Sequence, residues 1–133
     1  MKIFLGYQNN RQAINNLERF HLPVAQAMRP QHDVFCALEA TAEYAARGLE
    51  TYDQRLKYCL EQIPGSGLFI AVIKIQGYEG GIVKELEEAA LQSVPIVAAV
   101  QQGIAFPVFL DQIAAAKFTF RNQQELMAEV SQY

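Results

Sequence analysis

One segment of this 133-residue chain limits its fold more than any other. Between Gly67 and Val100 the sequence reads LFIAVIK, IQGYEGG, IVKELEEAALQS and VPIVAAV. Leu68 to Ile73 is a continuous apolar run, the pattern of a strand covered on both faces, and Val94 to Val100 is a second. Pro95 is tolerated because it stands at the strand's first residues. Between the runs, Ile82, Leu86, Ala89 and Ala90 recur at helical spacing. The segment is therefore a βαβ unit, which crosses right-handed when its strands are parallel. It places one carboxylate, Glu85, one turn into the helix that leaves the first strand. In open parallel sheets, ligands bind outside the carboxyl ends of the strands.

The rest of the chain repeats this alternation. Lys2 to Gly6 is a first strand, and Tyr7-Gln8-Asn9-Asn10 is a polar turn able to cap a helix from about Arg11. Ile14, Leu17 and Phe20 form that helix's apolar stripe, Pro23 ends or bends it, and Arg29-Pro30 stops the element. Asp33 to Ala37 is a short strand. Ala45, Leu49, Tyr52, Leu56, Cys59 and Ile63 then predict one long helix from about Ala40 to Gln62, softened at Gly48. Pro64-Gly65-Ser66-Gly67 is a turn. After the βαβ unit come a loop at Gln101-Gln102-Gly103, a helix over Phe106 to Ala115, a strand at Lys117 to Phe120, and a helix capped by Asn122.

This order predicts a three-layer α/β domain spanning residues 1–133. Five parallel strands in the flavodoxin- or Rossmann-like order 2-1-3-4-5 carry helices on both faces. Fourteen acidic against eleven basic residues, a net charge of −3 and no basic stripe give no footprint for a nucleic acid polymer. No run is long enough for a membrane span, and Met1-Lys2 leads straight into a strand instead of a signal peptide. Cys36 and Cys59 are far apart, without a CxxC or a histidine pair, which predicts buried, reduced thiols, no metal site and a cytoplasmic protein.

The strand tips exclude several chemistries. A phosphoacceptor domain needs an aspartate at the third strand's end, where Lys74 and Ile75 stand. Gln8-Asn9-Asn10 lacks the hydroxyls of a flavin-phosphate loop. There is no GxGxxG, Walker loop or GxSxG. The segment around Glu85 remains.

That segment resembles the nucleoside 2-deoxyribosyltransferase family: LFIAVIK, a loop ending at Gly80-Gly81, then KELEEAALQSVPIVAAV, with Glu85-Leu86-Glu87-Glu88-Ala89 on the family's glutamate-bearing helix. Lys2-Ile3-Phe4-Leu5-Gly6 is similar to the family's first strand. The resemblance covers most of the chain in topology and its middle third in residues. It implies that Glu85 acts on an N-glycosidic bond, stabilising or trapping an oxocarbenium-like sugar. A glutamate near a helix N-terminus is expected to be held ionised, and Gly80 and Gly81 would let a sugar or 5′-phosphate approach the backbone. The sequence also departs from the family. Gly67 precedes the central strand without an aspartate, Tyr58 and Cys59 occupy the place of a helical acid, and Asp53 and Glu50 lie further upstream. Val83 replaces a small residue and Glu87 a glycine.

Each candidate has a plainer reading beside it. Glu85 is either the nucleophile or one charge of a solvated face. Tyr7 either stacks on a base and positions Glu85 or covers the sheet edge. Asn9, Asn10 and Arg11 either bind ribose or phosphate, or an asparagine caps the helix and Arg11 is solvent-exposed, and Tyr78 and Glu79 sit in the loop at the carboxyl edge. Glu39 and Glu43 follow the second strand and are within reach of the pocket. Glu88 is set to pair with Lys84. His21 and His32 are placed at the amino-terminal edge, away from catalysis, and Tyr44, Tyr52 and Tyr58 are read as packing or a subunit interface. The function expected is transfer or hydrolysis at a nucleoside or nucleotide, with Glu85 catalytic, Tyr7, Gln8, Asn9, Tyr78, Glu79, Gly80 and Gly81 binding substrate, and no cofactor. The alternative is a nucleotide-binding or sensing domain that lost its acid. The resemblance further implies a homo-oligomer.

Overall fold

The structure, a computed structural model, describes residues 1–9, 12–77 and 80–133. Five strands form one sheet in the order β2-β1-β3-β4-β5: β1 (Lys2–Tyr7), β2 (Asp33–Cys36), β3 (Leu68–Ile73), β4 (Ile96–Gln101) and β5 (Ala116–Phe120). Every adjacent pair is parallel, with Phe4 beside Phe69 and Phe69 beside Ile96 in register. All six residues of β3 are buried, as its unbroken apolar run requires of a central strand.

Six helices cover the sheet: α1 (Ile14–Met28), α2 (Thr41–Arg47), α3 (Tyr52–Leu60), α4 (Gly81–Leu91), α5 (Val108–Ile113) and α6 (Gln123–Val130). On one face Ile3, Leu5, Ile70 and Val72 meet Val24, Ala25 and Met28 of α1 and Leu126 and Val130 of α6. On the other, Phe4, Phe69, Ala71 and Ile73 meet Cys59 of α3, Ile82, Leu86 and Ala89 of α4, and Leu110 of α5. The chain leaves β1 towards the first face and β3 towards the second, so the loops after these neighbouring strands part, which is where such sheets open a crevice. Gly6 keeps β1 close to its cover, since a Cβ there would stand 2.6 Å from the Phe69 ring and 2.9 Å from Ile82 Cδ1. No helix among the described residues is long and apolar enough to cross a membrane.

Three expectations require correction. The helix expected from about Arg11 starts at Ile14, with Ala13 as its flanking residue and no side-chain cap; Ile14 is 59% exposed instead of buried. Pro23 neither ends nor breaks α1. Its missing N–H would leave the Arg19 carbonyl unserved, and Gln123 Nε2 from α6 donates to the carbonyls of Arg19 (3.0 Å) and Phe20 (2.8 Å). The long helix expected over Ala40 to Gln62 is two. Gly48 adopts a left-handed φ of 68° and closes α2, and Thr51 opens α3 with a capping box, its hydroxyl accepting from Gln54 N–H while Gln54 accepts from Thr51 N–H. The Thr51-x-x-Gln54 spacing was the available signal. The loop after β2 is a 3₁₀ turn at Ala37–Glu39.

Gly48 gives a clean test, because nothing stands within 4 Å of the Cβ that alanine would add. Gly48→Ala is expected to lower stability by about 1 kcal/mol through backbone strain alone, measured by chemical denaturation.

Candidate functional site

A cavity of about 280 Å³ opens at the carboxyl edge beside β1 and β3. The end of β1 contributes Leu5 and Tyr7, the following loop Asn9, and the first residue of α1 is Ile14. Ala37 and Leu38 come from the 3₁₀ turn, Gly81, Ile82 and Glu85 from α4. The opposite wall is the joint between α2 and α3. Thr41 and Tyr44 reach in from α2, and Tyr52, Arg55, Leu56 and Cys59 form an i, i+3, i+4, i+7 stripe on α3.

Glu85 is 8% exposed and lines the cavity from α4. Burial pushes its carboxyl from the ordinary 4.5 up to about 8. This corrects the expected ionised form: Glu85 is the fifth residue of α4, beyond the first turn where the helix dipole acts most strongly, and desolvation dominates. Near neutral pH it is mostly protonated. The nearby Tyr7 hydroxyl is pushed up by burial, then by the charges of Cys36 and Glu85. Tyr44 Oη and Cys59 Sγ lie 3.2 Å apart, and burial raises the Cys59 thiol to about 11. Cys36 and Cys59 are both free and buried.

Of the residues expected at the site, the structure brings Tyr7, Asn9, Gly81 and Glu85 together around the cavity. Gly80, with φ of 84°, precedes α4 at the rim, where a Cβ would be 3.4 Å from Asn9 Oδ1. Gly81 needs its small size, since a Cβ would stand 3.2 Å from Tyr52 Oη. Gln8 turns away from the lining. Its buried carboxamide oxygen accepts from the N–H of Lys74 (2.7 Å) and Ile75 (3.0 Å), while its Nε2 donates to the carbonyls of Ile75 (3.0 Å) and Gly77 (3.2 Å). Tyr78 and Glu79, with Asn10 and Arg11, lie outside the described residues.

Other expectations change. Glu39 is paired with Arg29 and Glu43 with Arg47, so neither faces the cavity. Glu88 accepts from Gln92 Nε2 instead of pairing with Lys84. His32 is at the amino edge, where its ring nitrogens meet the Met1 amine and the Tyr133 carbonyl. His21 is not: its ring lies 4.8 Å from that of Tyr7 at the end of β1. Burial, then Lys74, holds it neutral with a pKa lowered to about 3, and its Nδ1 has no partner among the described residues. Tyr44 and Tyr52, expected as packing or interface, line the cavity, as do Thr41 and Arg55, which sequence reasoning left out. Their signal was the stripe Tyr52, Arg55, Leu56, Cys59, visible only once the helix is split at Gly48.

No family model matches the sequence, and no curated protein matches it. Solved structures do. The 2-deoxyribosyltransferase of Bacillus psychrosaccharolyticus superposes with a TM-score of 0.71 at 16% identity, over 100% of this chain and 92% of that one. The CMP N-glycosidase BcmB of Clostridium botulinum gives 0.72 at 13% identity, over 100% and 99%. A conserved protein of Enterococcus faecalis V583 gives 0.69 at 14%, over 98% and 97%. The sheet order and these superpositions together give the chain a nucleoside 2-deoxyribosyltransferase-like fold.

Proposed function

We propose that this protein breaks the N-glycosidic bond of a nucleoside or nucleotide, by transfer or hydrolysis, with Glu85 as nucleophile. The observation that supports this best is a buried carboxyl in a cavity lined by Tyr7, Tyr44 and Tyr52. A carboxyl raised by desolvation inside a cleft is a functional-site feature. In the reaction, ionised Glu85 attacks the anomeric carbon. The C1′–N bond breaks, its electron pair leaves with the base, and the base nitrogen takes a proton from solvent. Water or a second base then attacks the glycosyl ester, releasing sugar or a new nucleoside and freeing the carboxylate. The tyrosine rings suit the flat face of a base.

The test is incubation with a panel of nucleosides and 5′-monophosphates, with free base measured by chromatography. Base release supports the reading and its absence across the panel overturns it. The pH dependence is a second expected result. The free protein must lose the Glu85 proton to react, so kcat/KM should rise about tenfold per pH unit below 8 and level off above it.

One observation favours the second reading, a binding or sensing domain. Among the described residues Glu85 is the one carboxylate lining the cavity, so no acid stands ready to protonate the departing base. That reading gives ligand binding without base release. Homo-oligomerisation belongs to the first reading, and the exposed Ile14 and Tyr52 at the cavity mouth suit it (59% and 56% exposed). Light scattering measures it directly.

A further inference from the structure

We propose that Arg55 is the specificity-determining cation of this cavity, holding the 5′-phosphate of a nucleoside monophosphate so that phosphorylated substrates are preferred to free nucleosides. The inference rests on the glycosidic reading of the cavity and names its substrate class.

Arg55 is built differently from the chain's paired arginines. Arg29, Arg47 and Arg121 each hold a glutamate, at Glu39, Glu43 and Glu125. Arg55 lines the cavity and has no carboxylate partner among the described residues. Its Nε donates to the Leu49 carbonyl at 2.9 Å, and its guanidinium carbon stands 5.0 Å from the centre of the Tyr44 ring. Those two contacts fix the plane of the group and leave both terminal nitrogens without hydrogen bonds among the described residues. An oriented guanidinium with its outer edge free suits bidentate binding of a phosphate.

Its position also fits. Arg55 of α3 and Glu85 of α4 line the same cavity. Thr41, at the first turn of α2, lines the same cavity and offers a hydroxyl.

The experiment compares base release from matched pairs, each nucleoside with its 5′-monophosphate, for the wild type, Arg55→Met and Arg55→Lys, with melting curves as a folding control. The wild type should show a KM for its best monophosphate roughly 10- to 100-fold below that of the matching nucleoside, the range that charge-assisted bonds to phosphate supply. Arg55→Met should erase most of that ratio, and Arg55→Lys should keep part of it as a point charge. Inorganic phosphate should compete with the monophosphate in the wild type and more weakly in Arg55→Met. An unchanged ratio in Arg55→Met, or a wild-type preference for free nucleosides, overturns the inference while leaving the glycosidic reading intact. If no substrate releases base, that reading fails, and calorimetric binding of the monophosphates to wild type and Arg55→Met decides the role of Arg55 alone. Tighter binding by the wild type supports it, and equal binding overturns it. Should Arg55→Met not fold, the same comparison with Arg55→Lys and phosphate competition on the wild type decides.

Discussion

Glu85→Gln is expected to reduce base release by roughly 10³-fold or more, the scale on which removal of a covalent nucleophile acts, while making the protein more stable at neutral pH. The two effects have one cause. The folded protein keeps the Glu85 proton up to about pH 8, whereas the unfolded chain releases it near the ordinary 4.5. Between those values the native state binds the extra proton, so stability falls as pH rises through that window. Below about 4.5 the penalty is absent, and above about 8 it is complete. At pH 7 it amounts to about 3 kcal/mol, little screened because the group is buried. Glutamine keeps the shape and carries no charge, so thermal melts should show Glu85→Gln above the wild type at pH 7 to 8, with the two converging near pH 4.5. A surface glutamate would give neither result. A variant that melts higher and still releases base at the wild-type rate would remove Glu85 from the chemistry and leave only its burial.

The second large effect is expected at Gln8, which touches nothing in the cavity. Its carboxamide makes four hydrogen bonds to the backbone between Lys74 and Gly77, the stretch that carries the chain from β3 towards α4. Gln8→Leu would leave two N–H groups and two carbonyls without their partner at a site where Gln8 itself is 2% exposed. One unsatisfied buried group costs about 1–3 kcal/mol. Relaxation recovers part of the sum, so a loss of about 3 kcal/mol in denaturant unfolding is expected. Gln8→Glu keeps the two acceptor bonds and loses the two donated ones, so it should fall between Gln8→Leu and the wild type. A loss below about 0.5 kcal/mol for Gln8→Leu, the level of an ordinary surface change, would show that the loop is held by other means.

The sheet was legible because burial on both faces leaves an unmistakable trace. Leu68 to Ile73 has no polar residue to alternate with, and all six positions are buried. Asn122 was readable as a cap for the same reason that it works as one, a short side chain accepting from Glu125 N–H. What the sequence concealed came from residues with two uses. Gly48 can sit inside a helix at modest cost or end it in the left-handed region, and spacing on either side continues the same apolar pattern. Splitting that helix is what turns Tyr44 and Tyr52 towards one cavity, so the wall built by α2 and α3 stayed hidden with it. His21 was misplaced because its distance along α1 from the sheet edge cannot be judged until the start of the helix is known. The place of Glu85 at the carboxyl edge of the sheet was legible, but not its protonation state. Helix position argued for charge, and only the three-dimensional enclosure shows that desolvation prevails.

Pro23 lets α1 run on because another part of the chain stoppers the gap it leaves. The amide of Gln123 reaches across from the start of α6 to serve the Arg19 carbonyl, for which Pro23 has no N–H, and the neighbouring Phe20 carbonyl. The continuity of the first helix is therefore borrowed from the last one. A peptide of residues 14–28 taken alone would fray at its middle, and the segment would become regular only when the C-terminal helix has docked.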